Sequence, residues 1–187
     1  NVGTAKPVTV TGYAITGADA GNYTLAQPAG LSADITPASV NLTGLTAQSK
    51  VYDTNTAASF LGTAAVTPLA GDTLTLAGTA AGAFSDKNAG TAKPVSLSGL
   101  SLAGADAANY TLVVPGFTAN ITPASLGLVN VAAANKAYDT TRTASMSGAL
   151  TGVLPGDTVN LGLTGQFSDA NVGTAKTVTW AGATTGA

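Results

Sequence analysis

Aspartates are the only acidic side chains in this sequence, and no histidine or cysteine accompanies them. The missing residues exclude triads with a histidine base, thiol nucleophiles and zinc sites built from thiolate or imidazole. A carboxylate pair, as in a glycosidase, is the remaining catalytic arrangement. Most of the aspartates lie in turn-like sequences such as GDT, YDT and GAD, where Asp caps the backbone. We therefore expect no catalytic residue and predict that the chain is not an enzyme.

Two loops offer oxygen ligands of the kind that calcium prefers. Asp86 and Asn88 lie in FSDKN, and Asp169 and Asn171 lie in the related FSDAN. Neither loop has the D-x-D-x-D-G spacing, and Lys87 adds a positive charge to the first loop. We expect no cofactor, with calcium at these four residues as the alternative.

Two lysines precede a recurring Tyr-Asp-Thr sequence, Lys50 in KVYDT and Lys136 in KAYDT. An isopeptide crosslink from such a lysine to Asn or Asp would suit a protein under tension. The simpler interpretation is a surface lysine whose aliphatic stem packs on a sheet.

The composition excludes strong electrostatic partners. Charged residues make up 9% of the 187 residues, against about 25% in average domains, and the net charge is −2. Such a chain has no basic surface for nucleic acid. No apolar run approaches the 18 residues of a membrane span. We expect a soluble segment that inserts into no membrane, with any export signal elsewhere in a longer protein.

Internal repeats dominate the organisation. NVGTAKPV at 1–8 returns near 88 and 171, and five further motifs recur with offsets of 83 to 87 residues. A period near 86 residues is the size of a small domain rather than of a solenoid coil. The sequence predicts the end of one repeat at 1–37, a complete repeat at 38–123 and the start of another at 124–187. These are called below the first, central and third repeats.

Alternating apolar residues predict strands throughout the central repeat. The pattern places Val40 and Leu42 on one face, and Gly99 interrupts a later alternation as a β-bulge would. YTLVV (110–114) and FTANI (117–121), separated by Pro-Gly, predict a hairpin. The fold class is all-β, and about seven short strands favour a small immunoglobulin-like β-sandwich in each repeat.

Four tyrosines and two prolines are predicted to be structural. Tyr23 and Tyr110, in GADAGNYTL and GADAANYTL, resemble the tyrosine corner of immunoglobulin-type strands, with the hydroxyl bonded to upstream backbone. Tyr52 and Tyr138 belong to the KxYDT motif. Pro37 and Pro123 lie in ITPAS, where the absence of a Gly/Ser linker predicts a stiff joint between repeats.

The ordered motifs KxYDT, GDTxxL, FSDxNxGTAK, GADAxNYTL and ITPA resemble the YDG-type repeat over the whole chain. Thr54 and Thr140 stand where the signature has Gly. The resemblance implies repeated extracellular modules in very large bacterial surface adhesins of the filamentous-haemagglutinin-like, two-partner-secreted kind. It carries over no catalytic or ligand residue.

We expect a structural repeat that builds a semi-rigid extracellular stalk and projects a binding region from the bacterial surface. The alternative is a weak, multivalent glycan- or protein-binding module. A repeated aromatic platform is lacking, because Trp180 has no aromatic counterpart in the other repeats. The expected partners are neighbouring repeats of the chain. Residues 1–37 of one molecule are also expected to complete 124–187 of another, in head-to-tail association.

Overall fold

The computed structural model describes residues 1–26 and 28–186, and these form an all-β protein. The predicted fold class is therefore confirmed at that level. Strands of the first repeat are β1 (Gly3–Pro7) and β2 (Ser32–Ile35). Strands of the central repeat are β3 (Ala38–Asn41), β4 (Thr43–Ala47), β5 (Lys50–Val51), β6 (Ala57–Ala58), β7 (Phe60–Ala65), β8 (Thr75–Phe84), β9 (Gly90–Ala103), β10 (Tyr110–Val113) and β11 (Phe117–Thr122). Strands of the third repeat are β12 (Gly127–Ala133), β13 (Thr143–Ala144), β14 (Met146–Thr151), β15 (Val159–Phe167) and β16 (Val178–Gly186).

Helical structure in the described residues consists of two single 3-10 turns, Ala20–Asn22 and Ala107–Asn109. Both follow the sequence GAD, whose short polar and small residues favour turns. The described part of the chain has no helix that is long and apolar enough to cross a membrane.

The chain forms two compact units whose limits differ from those of the sequence repeats. One unit comprises 1–48, 57–85 and 92–119, and the other comprises 49–56, 86–91 and 120–187. Two loops of the central repeat therefore belong to the same unit as the whole third repeat.

In the first of these units, the strands of the central repeat are joined by several antiparallel pairings and one parallel pairing. β9 lies between β11 and β8, β6 lies beside β8, and β4 pairs with β7. The opening strand β3 runs parallel to β10, with Tyr110 opposite Ala38. Because a parallel pair needs a long crossover, this pairing joins the two ends of the repeat. β1 and β2 form a separate antiparallel pair.

In the other unit, β5 runs parallel to the end of β11, with Ile121 opposite Lys50. The third repeat forms the sheets β12-β14 and β13-β15-β16. β15 and β16 pair without a register shift from Val159 to Phe167.

The core is small, as expected for a chain whose apolar residues are largely alanine. Val40 and Leu42 are both buried, which confirms the face predicted for them, although β3 ends at Asn41 and Leu42 lies between β3 and β4. Phe60 and Phe117 add an edge-to-face contact with ring centroids 4.9 Å apart. The other buried apolar residues are Phe84, Val95, Tyr110, Ala119, Ile121 and Ala144.

The predicted hairpin of 110–114 and 117–121 is wrong. β10 pairs with β3, whereas β11 pairs with β9 and β5. The backbone of β10 is engaged by the opening strand, and the N–H of Leu42 extends that ladder to the carbonyl of Val113 at 2.9 Å. Alternation identifies the faces of a strand but not its partner, so two adjacent strands with a Pro-Gly link can enter different sheets.

A bulge lies at the predicted level of the sheet, but its extra residue is on β8, where Thr79 and Ala80 lie opposite the single residue Gly99. Gly99 has φ +82°, and the β8–β9 register shifts between Gly78 and Ala81. The two backbones approach so closely that a Cβ on Gly99 would lie 2.2 Å from the carbonyl oxygen of Thr79. Gly78, at φ +91°, faces the carbonyl of Gly99 in the same way, so each strand contributes a glycine to the crossing.

Replacing Gly99 with alanine is expected to lower the free energy of unfolding by about 2–4 kcal/mol, because it combines left-handed strain with a backbone clash. Urea unfolding at neutral pH measures the effect. Gly116→Ala is the matched control, since no atom lies within 4 Å of its added Cβ. Equal stability of the two variants would show that the bulge tolerates a side chain.

Candidate functional site

Tyr110 anchors a polar cluster at one end of the central repeat. Its hydroxyl donates to Asp72 Oδ2 at 2.6 Å and accepts from the backbone N–H of Leu69 at 3.0 Å. The bond to upstream backbone that the tyrosine-corner resemblance implies is thus present, although it spans 41 residues. Tyr110 is only 8% exposed. The hydrogen bond to the Asp72 carboxylate and burial raise the pKa of its phenol.

The turn before Tyr110 supports the same cluster. Asp106 begins the 3-10 turn, and its Oδ2 accepts from the N–H of Thr73 at 2.8 Å. The recurring GAD and GDT sequences are therefore neighbours in space. An aspartate is needed in each sequence because each carboxylate accepts a hydrogen bond from the other segment: Asp72 from the hydroxyl of Tyr110, and Asp106 from the N–H of Thr73.

Tyr23 occupies the matching position of the first repeat but has a different environment. Its ring is 72% exposed, so the packed arrangement at Tyr110 is not reproduced here. Residues 1–37 contain no GDT sequence that would supply a counterpart of Asp72. A tyrosine corner needs this partner as well as its own turn.

Tyr52 makes the second tyrosine–carboxylate contact. Its hydroxyl donates to Asp157 Oδ1 at 2.8 Å, and Lys87 Nζ lies 3.5 Å from the same oxygen. Lys87 also lies 6.0 Å from the centre of the Tyr52 ring, and Tyr52 and then Asp157 raise its pKa. All three residues belong to the compact unit that contains the third repeat. A cleft beside them is lined by Pro123 and by residues 152–154 and 156–159.

Tyr138 is the counterpart of Tyr52 in the third repeat, and its ring is 63% exposed. It lines an open cleft together with residues 133–137 and 169–176. The four predicted structural tyrosines thus divide into two with a carboxylate partner and two with exposed rings.

Each KxYDT motif folds into a turn that its lysine clasps. Lys50 Nζ lies 2.7 Å from Asp53 Oδ1 and 2.8 Å from the carbonyl of Asn55. Lys136 makes the same contacts with Asp139 and the carbonyl of Thr141, both at 2.8 Å. An isopeptide link in this turn would close only a local loop, and Thr141 has no amide or carboxyl group to form one.

These ammonium groups change the acidity of the clasped carboxylates. Lys136, followed by the N–H and hydroxyl of Thr141, lowers the pKa of Asp139 to about 2. Lys50 likewise lowers the pKa of Asp53. Donors that stabilise a carboxylate favour its charged form.

The calcium candidates also lie in closed turns. Asp86 Oδ1 accepts from the N–H of Asn88 at 2.8 Å, and Asp169 Oδ1 accepts from the N–H of Asn171 at 2.7 Å. Lys176 Nζ contacts Asp169 Oδ1 and lies 2.8 Å from the carbonyl of Asn171. In the third repeat a lysine of the chain therefore occupies the position that a cation would take, and it lowers the pKa of Asp169. Across the described residues no group of three or more acidic side chains is placed to hold a metal ion.

A family model described as the YDG domain matches residues 1–30, 36–119 and 122–187. The chain belongs to the YDG domain family. No curated protein and no solved structure matches it.

The backbone conformation at the third position of the YDG signature accounts for the glycine that the signature has there. Thr54 and Thr140 occupy that position with φ +69° and +63°. This left-handed conformation is rare for a β-branched residue and natural for glycine. The departure from the signature that the sequence shows is thus a strained backbone position in both YDG repeats.

The prolines of the YDG repeat junctions lie between strands. Pro37 follows β2 and precedes β3, and Pro123 follows β11. Next to Pro123, the carbonyl of Thr122 accepts from the N–H of Tyr52 at 2.8 Å. The junction is therefore bonded to the YDT turn.

Sequence reasoning did not identify the aspartates that receive the two tyrosines. The GDT sequence predicts a turn cap at Asp72 and at Asp157, and each N–H does close a turn by donating to the carbonyl of Leu69 or Leu154, both at 3.1 Å. The signal in the sequence is that GDT, YDT and NYT each occur twice, at matching positions of the repeats. That recurrence indicates a shared structural need but does not pair the motifs.

Replacing Thr54 with glycine is expected to raise the free energy of unfolding by about 0.5–1 kcal/mol, because the left-handed penalty exceeds the entropic cost of glycine. Thermal and urea unfolding measure the change. Thr56→Gly, two residues away without positive φ, is the control and is expected to be neutral or destabilising. A loss of stability in Thr54→Gly would mean that side-chain contacts of Thr54 outweigh its strain.

Acid is expected to destabilise the YDG chain between about pH 4 and pH 2. The folded-state pKa values of Asp53, Asp139 and Asp169 lie below the unfolded value near 3.9, so their stabilising contribution is complete above that value. It is lost as the pH falls through the folded values, about 2 for Asp139. Urea unfolding at a series of pH values tests this. Asp139→Asn is expected to flatten the acid slope, and an unchanged slope would contradict the assignment.

Proposed function

We propose that this chain is a structural segment of a semi-rigid extracellular stalk in which YDG repeats follow one another directly. The observation that carries the proposal is the bonding of each repeat end to its neighbour. Residues 49–56 and 86–91 of the central repeat form one compact unit with 120–187. Only residues 36–37 separate β2 from β3, and 123–126 separate β11 from β12. Such joints restrict bending, unlike a flexible Gly/Ser linker.

The fold proposed for each complete repeat is a small immunoglobulin-like β-sandwich. Its support is the edge-to-face contact between Phe60 on β7 and Phe117 on β11, which join strands of different sheets. Phe84 on β8 and Val95 on β9, which lie opposite each other in the strand pairing, are also buried. A sandwich with strands of about ten residues spans roughly 35 Å along the strands.

The proposed location is the bacterial cell surface or secreted space, within a large filamentous-haemagglutinin-like adhesin. The support is the resemblance of the ordered motifs, together with a composition low in charge and free of cysteine. In this setting the repeats project a binding region that lies elsewhere in the parent protein. The partners we propose are neighbouring repeats. Head-to-tail association of separate molecules is the intermolecular form, and a strictly monomeric chain in concentrated sedimentation runs would contradict it.

Small-angle X-ray scattering of a protein with three complete consecutive repeats tests the stalk proposal. We expect a maximum dimension near 100 Å, about three times the repeat length, because the short proline-containing joints keep the repeats extended. The dimension is expected to stay unchanged when a calcium chelator is added.

The control is the same protein with a Gly/Ser linker in place of the ITPAS joints, which is expected to give a broad, flexible distribution. A compact or equally flexible parent would contradict the stalk and favour the multivalent binding module. Collapse on chelation would instead place calcium at the joints.

A further inference from the structure

The two tyrosine–aspartate contacts use matching aspartates but tyrosines of different repeats. Asp72 and Asp157 occupy the same position of the GDT motif, 85 residues apart. Asp72 receives Tyr110, which belongs to its own repeat, on Oδ2. Asp157 receives Tyr52, which belongs to the preceding repeat, on Oδ1.

We propose that the GDT aspartate is a docking site between YDG repeats, shared by two tyrosines. One carboxylate oxygen accepts the NYT tyrosine of the same repeat, and the other accepts the YDT tyrosine of the repeat before it. A carboxylate has enough lone pairs for both phenols and for the nearby lysine. The inference rests on the stalk proposal, and it names the contact that joins the repeats and the partner that each repeat end requires.

The other junction supports the same interface independently. Asn109, next to Tyr110, accepts from the N–H of Val2 at 3.0 Å and donates to Asn1 Oδ1 at 3.4 Å. Asn1 and Val2 match Asn88 and Ala89, which line the cleft beside Asp157. Matching segments of two repeats therefore meet turns of the repeat that follows: Asn1 and Val2 meet the NYT turn of the central repeat, and Lys87, Asn88 and Ala89 lie beside the GDT turn of the third repeat.

The third repeat presents this docking face without an occupant. Tyr138 matches Tyr52, and Val172 matches Val2 and Ala89. Tyr138 is 63% exposed and Val172 is 86% exposed. No GDT sequence follows Asp157 in the chain. The occupant that fits this face is the GDT turn of a further YDG repeat, since that turn covers the matching face of the central repeat.

Sharing one carboxylate has an energetic consequence. A hydrogen bond from a phenol to a carboxylate is shorter and stronger than one between neutral groups. Because the aspartate also holds the corner tyrosine of its own repeat, docking of one repeat stabilises the folded end of the next. Stability then has a nearest-neighbour component, as in other repeat proteins.

Amide hydrogen exchange of the full chain tests the inference with a matched pair of variants. Tyr52→Phe removes the hydroxyl that meets Asp157, and Tyr138→Phe removes the same group at the unoccupied face. We expect amides of β12 and β14 to exchange about tenfold faster in Tyr52→Phe, as for the loss of a bond to a charged group. Exchange is expected to be unchanged in Tyr138→Phe.

Equal effects of the two variants, or no effect of Tyr52→Phe, would overturn the docking assignment. A double-mutant cycle supplies a second readout. Tyr52→Phe is expected to add little in an Asp157→Asn background, and full additivity would show that the two side chains act separately.

These outcomes are distinct from failure of the stalk. An extended three-repeat particle with no Tyr52 effect would keep the stalk and reject the docking aspartate. A flexible particle with a clear Tyr52 effect would keep the contact but reject its mechanical role.

Discussion

The hydrogen bond between a tyrosine hydroxyl and a GDT carboxylate is the contact around which the ends of the central repeat are organised. Tyr110 brings the NYT turn to the GDT turn, and Asp106 then reaches the backbone of Thr73 from the same side. A ring of this size also supplies apolar area that the alanine-rich core lacks. Without the acceptor, as at Tyr23, the same turn leaves its ring exposed.

Several loops are held in shape by a lysine that donates to a carboxylate and a carbonyl of the same loop. In each KxYDT turn the lysine ammonium group donates to an aspartate carboxylate and to a backbone carbonyl, each within 2.8 Å of the lysine nitrogen. A similar clasp joins Lys176 to Asp169. The chain has few charges, and several of them lie in these turns rather than in dispersed surface pairs. Isolated surface pairs contribute only modestly to stability, so the main role of these lysines is to define the conformation of their loops.

Close backbone approach sets the shape of the sheets. Gly78 and Gly99 allow β8 and β9 to cross at a bulge, and Gly44 and Gly62 do the same for β4 and β7. In the third repeat Asn130 takes the place of Gly44 with φ +55°, which asparagine tolerates better than other residues. A thin core thus coexists with tightly joined strands, because small residues let the backbones themselves come into contact.

The sequence by itself determined the all-β class, the repeat length, the burial of the alternating residues Val40 and Leu42, and the level of the sheet at which Gly99 marks a bulge. These follow from local patterns, since alternation and glycine placement act over a few residues. It predicted four tyrosines as structural positions, of which Tyr52 and Tyr110 have a carboxylate partner, whereas Tyr23 and Tyr138 have exposed rings. Only the tertiary structure decided that β10 pairs with β3 rather than with β11, and that Tyr52 reaches Asp157 while Tyr110 reaches Asp72. Those choices depend on which distant segments share an edge or an end of the fold, and residue spacing within one segment carries no information about them.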